Sequence, residues 1–581
     1  MRNLYRSKTF LWTLLVLFLV VWFYALGART LVPSDEGRYA EMAREMVTTG
    51  DWITPRLDGL KYFEKPPLQT WMNALTFELF GYGEWQARLW SGLCGLLGIA
   101  LVGYTGRRVF NPWVGTTAAL VLASSFWWAG LSHINVLDMG LSGMMTLTLC
   151  GMLLAQHDDT SDTERRNWML VSYAGMALAF LSKGPIGIVL PGAVLVIYTL
   201  GTREWSLWKR LHLIKGLILF TLIAAPWFVL VWVKNPEHAH FFFIHENFER
   251  FTSPVHHRDG PLWYFIPFLL VGIVPWLGVL VQSLIASPRR EDGKFQIFRP
   301  KMMALIWAAF IFFFFSISSS KLPHYILPIF PALALLIAYY LQHASTRSWA
   351  FAASLQALLG VAGLAAATRL NKMGSEPLEI AGFQAAQPWV MAACAIMLAG
   401  ALFVFWWIKQ RRHDLPTIAT LALAISGFLG GQMVMLGTED YGRYRAGLFL
   451  APAMQAEMTP DTALYAIGTY EQSLPFYLKH TFVTVGETND ELDFGVCQQP
   501  ELYLPTMDAF LSKWNGKQKA LAILKPDMYK SFQQLRVPMR LVTQDPRRVV
   551  IANVPGAVMP ITMALPTSPL REPDCKQFIK K

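Results

Sequence analysis

Apolar runs long enough to cross a bilayer fill most of the first 436 residues, and they constrain the fold more than any motif does. A spanning helix needs about 20 mostly apolar residues. The first run, Phe10 to Gly27, reads FLWTLLVLFLVVWFYALG. It is longer than a signal-peptide core and is read as a retained span. Further runs fall near 85–105, 111–131, 138–156, 168–182, 186–200, 213–233, 261–285, 302–319, 325–341, 349–368, 387–408 and 416–436. The expectation is an α-helical polytopic membrane protein with about 13 spans. Composition agrees: 15% of the 581 residues are charged and 54% hydrophobic, against roughly 25% charged in a soluble domain. That balance excludes a disordered chain, a collagen and a disulfide-rich mini-protein.

The net charge of +11 invites a nucleic-acid reading, but the basic residues fall in a pattern that has another cause. Arg2, Arg6 and Lys8 precede the first run, and Arg107 and Arg108 follow the second. Arg165, Arg166, Arg203, Lys209 and Arg210 sit on alternate connections, as do Arg289, Arg290, Lys294, Arg299 and Lys301. Arg347, Lys409, Arg411 and Arg412 complete the series. All share one side if the N-terminus is cytoplasmic, which is the positive-inside pattern. Nothing in it requires nucleic acid. An odd span count then puts the tail, about 437–581, outside the cytoplasm. Residues 1–436 are read as the transmembrane domain and 437–581 as a small α/β domain, with β-type runs at Ala463–Gly468, Thr481–Gly486, Leu521–Leu524, Leu541–Thr543 and Val549–Val554. Cys497 and Cys575 lie in that tail. A disulfide and two separate thiols are equally compatible with the sequence.

Most outer connections are short, and two are not. The loop 28–84 opens with Ser34-Asp35-Glu36-Gly37-Arg38-Tyr39 and continues through Tyr62-Phe63-Glu64-Lys65-Pro66-Pro67. Asp35 is placed to cap a helix from about Glu36 to Thr48, which can lie flat on the outer leaflet. The second loop, about 234–260, centres on Ile244-His245-Glu246-Asn247-Phe248-Glu249-Arg250-Phe251. By itself that segment reads as a solvated amphipathic helix. Asp138, Lys183 and Lys321 lie at predicted outer span ends. A cap for Asp138 and snorkelling for each lysine are the bland readings. Acids and bases recurring at one membrane boundary favour a shared polar cavity, because charge at that depth is costly without one. Arg38, Lys65, Lys183, Lys321 and Arg250 offer cations to phosphate. Asp35 and Asp138 can orient a sugar or an acceptor. A phosphate-bearing lipid fits the set.

These residues, with Gly83-x-x-x-Ala87-Arg88, Ser182-Lys183-Gly184-Pro185 and Lys321-Leu322-Pro323-His324-Tyr325, resemble the integral-membrane GT-C glycosyltransferases. Within them the chain looks like the aminoarabinose lipid A transferases, relatives of the protein O-mannosyltransferases. The resemblance covers about residues 10–436; the tail matches in size and location. It implies transfer of 4-amino-4-deoxy-L-arabinose from undecaprenyl phosphate to a lipid A phosphate at the outer face of a bacterial inner membrane. The implied outcome is resistance to polymyxin and cationic antimicrobial peptides. Asp35, Asp138 and Lys65 are then the expected catalytic residues. Arg38, Tyr39, Tyr62, Lys183, Arg250, Lys321, His324 and Tyr325 are expected to bind substrate. Glu64 and His245 carry groups that zinc accepts, and a divalent metal there would tie the two long loops together. A protein O-glycosyltransferase of the same fold and a lipid transporter stand as the alternatives. The transporter would show interrupted spans in two related halves, and only one interruption is visible, at Lys183-Gly184-Pro185.

Overall fold

A computed structural model of the chain describes residues 8–249, 260–288, 297–410, 414–486, 490–556, 573, 575 and 578. Each apolar run forms helix. Nine helices among the described residues are long and apolar enough to cross a membrane, and ten if one bent pair counts as a span. The difference from the expected thirteen has local causes. The run at 111–131 breaks at Ser125, giving helices Pro112–Ser124 and Phe126–Leu131. Ile186–Thr202 is short, and Asp162–Lys183 spends its first turns on charged residues. Phe265–Gly272 and Leu277–Ala286 meet at 107° across a break containing Pro275, a residue that cannot continue a helix ladder.

The connections sort to two ends of the bundle. At one end Asn111 bonds Gln342 (2.8 Å), Arg108 meets Glu164 (3.3 Å) and the Ile297 amide reaches Asp158 (3.0 Å). Arg107, Arg165, Lys209 and Arg299 belong to these connections. At the other end the loop after the first helix is tied to the chain beyond Leu436: Thr30 N donates to Glu439 (2.6 Å), Leu31 N to Tyr477 (2.8 Å) and Lys61 N to Gln499 (2.8 Å).

The C-terminal part carries a five-stranded mixed sheet. Its strands are β3 (Ala463–Ile467), β4 (Val483–Val485), β5 (Ala520–Leu524), β6 (Met539–Gln544) and β7 (Val549–Asn553), after a small hairpin of β1 (Arg56–Leu57) and β2 (Leu60–Lys61) in the first loop. The order is β4-β3-β5-β7-β6, with β3 parallel to β4 and β5 and the β5–β7 and β6–β7 pairs antiparallel. β5 and β7 are buried at every position, as a sheet covered on both faces requires. A disulfide joins Cys497 to Cys575, with Cα atoms 5.4 Å apart.

Helix Asp35–Thr49 departs from its expected place. It is not spread on a leaflet: Glu36 to Met46 are all buried, between the bundle and the sheet domain. Asp35 is its first residue rather than its cap, and no side chain caps the start. Gly37 makes the docking possible. A Cβ there would come within 2.5 Å of Ser473 Cα and 2.6 Å of the Gln472 carbonyl.

Candidate active site

A buried pin fixes the first loop before any chemistry is placed. The Arg88 guanidinium, fully buried, donates to both Glu36 oxygens (2.6 and 3.0 Å) and to the carbonyls of Leu26, Arg29 and Thr30 (2.6–2.9 Å). Asn135 N donates to Glu36 (3.0 Å), and Asn135 in turn accepts from Gln69 and Asn73. Burial opposes the Glu36 charge, yet Arg88 holds its carboxyl below the ordinary range. Four segments distant in sequence are thereby locked around one carboxylate. Its neighbour Asp35, one residue earlier, turns instead into a cavity.

That cavity has a volume of about 470 Å³. Asp35, Arg38, Tyr39, Glu64, Lys65, Asp138, Lys183, His324 and Tyr325 line it, so nine of the expected residues converge. Helix Asp35–Thr49 presents Asp35, Arg38 and Tyr39. Asp138 stands in the first turn of Leu137–Gln156. Lys183 ends helix Asp162–Lys183, where Gly184 (φ +77°) turns the chain through a conformation that glycine takes at little cost before Pro185. His324 and Tyr325 lie on the short 3₁₀ turn Pro323–Ile329.

Each cation is already paired. Lys183 Nζ donates to Asp138 Oδ1 at 2.6 Å and lies 4.3 Å from the Tyr325 ring centre. His324 Nε2 is 3.3 Å from the other Asp138 oxygen. Arg38 bridges Asp35 and Glu491, the latter at 2.5 Å, with its guanidinium 5.0 Å from the Tyr39 ring centre. Burial works against the Arg38 charge, and Tyr62, Tyr39, Glu491 and Asp35 more than restore it. Burial keeps the Tyr39 phenol protonated well above its ordinary range. Lys65 donates to Glu246 at 2.6 Å and lies 3.8 Å from its neighbour Glu64.

Several expected residues stand elsewhere. Tyr62 lies behind the lining, its ring centre 6.0 Å from the Arg38 guanidinium. Lys321 is buried and donates to the Ser318 carbonyl at 2.6 Å; it shapes the Ser318–Leu322 rim and is not among the lining residues. His245 packs against Phe241 and Phe578 (ring centres 5.5 and 5.1 Å), also outside the lining. Arg250 lies outside the described residues. Two lining acids were missed. Glu246 lies in the segment that by itself reads as a solvated amphipathic helix, and Glu491 belongs to helix Asp490–Gln498 of the tail. No local signal marks either; only docking of the tail brings Glu491 to Arg38.

With these two, five carboxylates (Asp35, Glu64, Asp138, Glu246, Glu491) face Arg38, Lys65 and Lys183. Part of the lining is apolar: Ile186, Val189, Phe314 and Phe315. Such a cavity can take a ligand with a phosphate, a cationic group and a hydrocarbon chain.

Residues 64–232 match the family model for dolichyl-phosphate-mannose-protein mannosyltransferases. Residues 450–553 match that for the C-terminal domain of aminoarabinose transferases. The undecaprenyl phosphate-alpha-4-amino-4-deoxy-L-arabinose arabinosyl transferase of Edwardsiella ictaluri is 33% identical over 83% of this chain and 87% of its own. An enzyme of the same name from Proteus mirabilis is 26% identical over 94% and 95%. The crystal structure of ArnT from Cupriavidus metallidurans bound to undecaprenyl phosphate superposes with a TM-score of 0.89, at 41% identity, over 94% of this chain and 98% of that one.

Proposed function

The chain belongs to the undecaprenyl phosphate-aminoarabinose arabinosyl transferases, and on that premise we propose how its cavity carries out the transfer. The protein is a multi-pass membrane glycosyltransferase acting with an undecaprenyl-phosphate-linked aminoarabinose donor. The acceptor is a phosphate of lipid A. One observation carries the reading of the site: paired cations and surplus carboxylates share a cavity with an apolar wall.

Transfer occurs at the sugar's anomeric carbon. A lipid A phosphate oxygen forms the new bond, and the bond to the donor phosphate oxygen breaks, releasing undecaprenyl phosphate. An acceptor phosphate is already ionised near neutral pH, so no strong general base is needed. Alignment and electrostatics bear the load instead. Lys65 and Arg38 take up charge developing on the leaving phosphate, exchanging their carboxylate partners for it. Asp35 acts nearest the reacting centre. Asp138 holds Lys183 and His324 in place for acceptor or sugar groups, and Tyr39 and Tyr325 flank the sugar. Glu64, Glu246 and Glu491 line the same cavity and balance the sugar's ammonium once the donor phosphate has taken up the cations. The polyprenyl chain runs along Ile186, Val189, Phe314 and Phe315.

The end of the bundle that carries Arg107, Arg165, Lys209 and Arg299 faces the cytoplasm with the N-terminus, as the positive-inside bias favours. The cavity and the sheet domain then face the periplasm. A transfer assay with purified protein, donor and lipid A tests the acceptor. Sugar is expected on phosphorylated lipid A. Equal transfer to dephosphorylated lipid A, or transfer to a peptide hydroxyl, contradicts the assignment.

A further inference from the structure

The helix that delivers Asp35 to the cavity carries a second group of acids on its far side. One carboxylate oxygen from each of Glu41, Glu45 and Asp58 lies within 4.8 Å of the others. Glu41 and Glu45 are one turn apart on helix Asp35–Thr49, and Asp58 is at the tip of the β1–β2 hairpin. Their exposures are 0%, 4% and 7%. Burying one carboxylate without compensation is costly, and three together cost more. The cation in direct contact is Arg44, whose guanidinium grips Glu41 at 2.5 and 2.7 Å.

The remaining oxygens are incompletely served. Asp58 Oδ1 accepts from Phe482 N (3.0 Å), and Glu45 Oε2 accepts from Gly59 N (2.9 Å). Glu45 Oε1, by contrast, is buried with no hydrogen-bond partner among the described residues. The buried Tyr470 hydroxyl also has none among the described residues, and the Asp58 and Glu45 carboxyls act on it electrostatically. A cation held by Glu45 Oε1 would satisfy that oxygen and offset the charge of its two neighbours. A groove whose charged and titratable lining is Glu45, Asp51, Arg44, Arg56, Lys479 and His480 gives access from solvent.

We propose that Glu41, Glu45 and Asp58 form a calcium site joining the back of helix Asp35–Thr49 to the β1–β2 hairpin and, through Phe482, to the sheet domain. The donor set is all oxygen and mostly carboxylate, which suits a hard cation rather than zinc. Calcium accepts several protein carboxylates in irregular geometry, with ligands on opposite sides about 4.6–5.2 Å apart. Magnesium demands a near-ideal octahedron and keeps most of its waters. Burial, then the neighbouring Glu41, push the Asp58 carboxyl up to about 8. Burial, then Glu41 and Asp58, raise the Glu45 carboxyl well above its ordinary range. Calcium must therefore displace protons near neutral pH, against the positive charges of Arg44, Arg56 and Lys479 around the groove.

The test uses the full-length protein in detergent, stripped with a chelator and titrated with calcium chloride by calorimetry at pH 6 and pH 8. One calcium per chain is expected, bound more tightly at pH 8, with a rise in thermal midpoint. Magnesium chloride should bind at least tenfold more weakly, and E45Q should weaken calcium at least tenfold. No saturable calcium binding to the wild-type protein overturns the proposal, whatever the folding of the variant. So does equal affinity for magnesium, or unchanged affinity in a folded E45Q protein.

Discussion

Asp35 and Glu36 are adjacent acids on one helix, and they do opposite work. Glu36 is 1% exposed and fully committed to Arg88, Asn135 and Val32. Asp35 is a quarter exposed and faces the cavity beside Arg38. The pin and the cavity are built from like residues, a carboxylate and an arginine in each. The difference is solvent access. Where every lone pair meets a protein donor, the pair can only hold; where the pair borders a cavity, a ligand's phosphate can exchange into it. Neighbouring acids in a loop are therefore no evidence of a two-carboxylate catalytic pair.

Substitutions along this helix separate the two roles. The largest effect is expected from Glu36→Gln. It leaves the fully buried Arg88 without its counter-charge, which costs about 3–5 kcal/mol. The thermal midpoint of the detergent-solubilised protein should fall sharply, and activity should be lost only as folded protein is lost. Full retention of the midpoint would dissolve the contrast. Asp138→Asn should do the reverse. It removes the carboxylate that meets Lys183 and His324 and is expected to lower kcat about 100- to 1,000-fold, far more than any accompanying fall in folded protein. Gly37→Ala sits between them. The added Cβ overlaps Ser473 and Gln472, a strain of about 1–3 kcal/mol. It should show first as faster proteolysis at the junction with the sheet domain.

The smallest effect concerns pH. A carboxyl raised in the folded state holds its proton more tightly there than in the unfolded chain. Stability is then greatest below the unfolded value, about 4, and falls as pH rises toward the folded value of about 8 at Asp58. In chelator the midpoint should decline between pH 6 and pH 8. Asp58→Asn should flatten that decline, and an unaltered slope would show that Asp58 does not set it.

The sequence made the cavity legible where charge met membrane depth. Asp138 and Lys183 stood at span ends, where an inward-facing cavity is the cheapest resting place for a charge, while His324 followed only from the family resemblance. Lys321 satisfied the same criterion and turned to a backbone carbonyl instead, because sequence does not give the direction of a side chain at a loop. Glu246 and Glu491 were invisible for a different reason. On a polar helix an acid that reaches a cavity looks like one that faces water, and the distinction arises when the tail docks. The same holds for Cys497 and Cys575, whose pairing follows from a fold that spacing does not encode. The helical runs were legible throughout. Their breaks at Ser125 and Pro275 reduced how many pass as single spans.

In the proposed mechanism Asp35 acts at the reacting centre while Glu36 only holds it there. Mass spectrometry of lipid A from cells expressing wild-type protein or Asp35→Asn, matched for folded protein in the membrane, tests this directly. The account predicts lipid A carrying one added 4-amino-4-deoxy-L-arabinose in the wild type and unmodified lipid A in Asp35→Asn. Normal modification by the Asp35→Asn protein would contradict it.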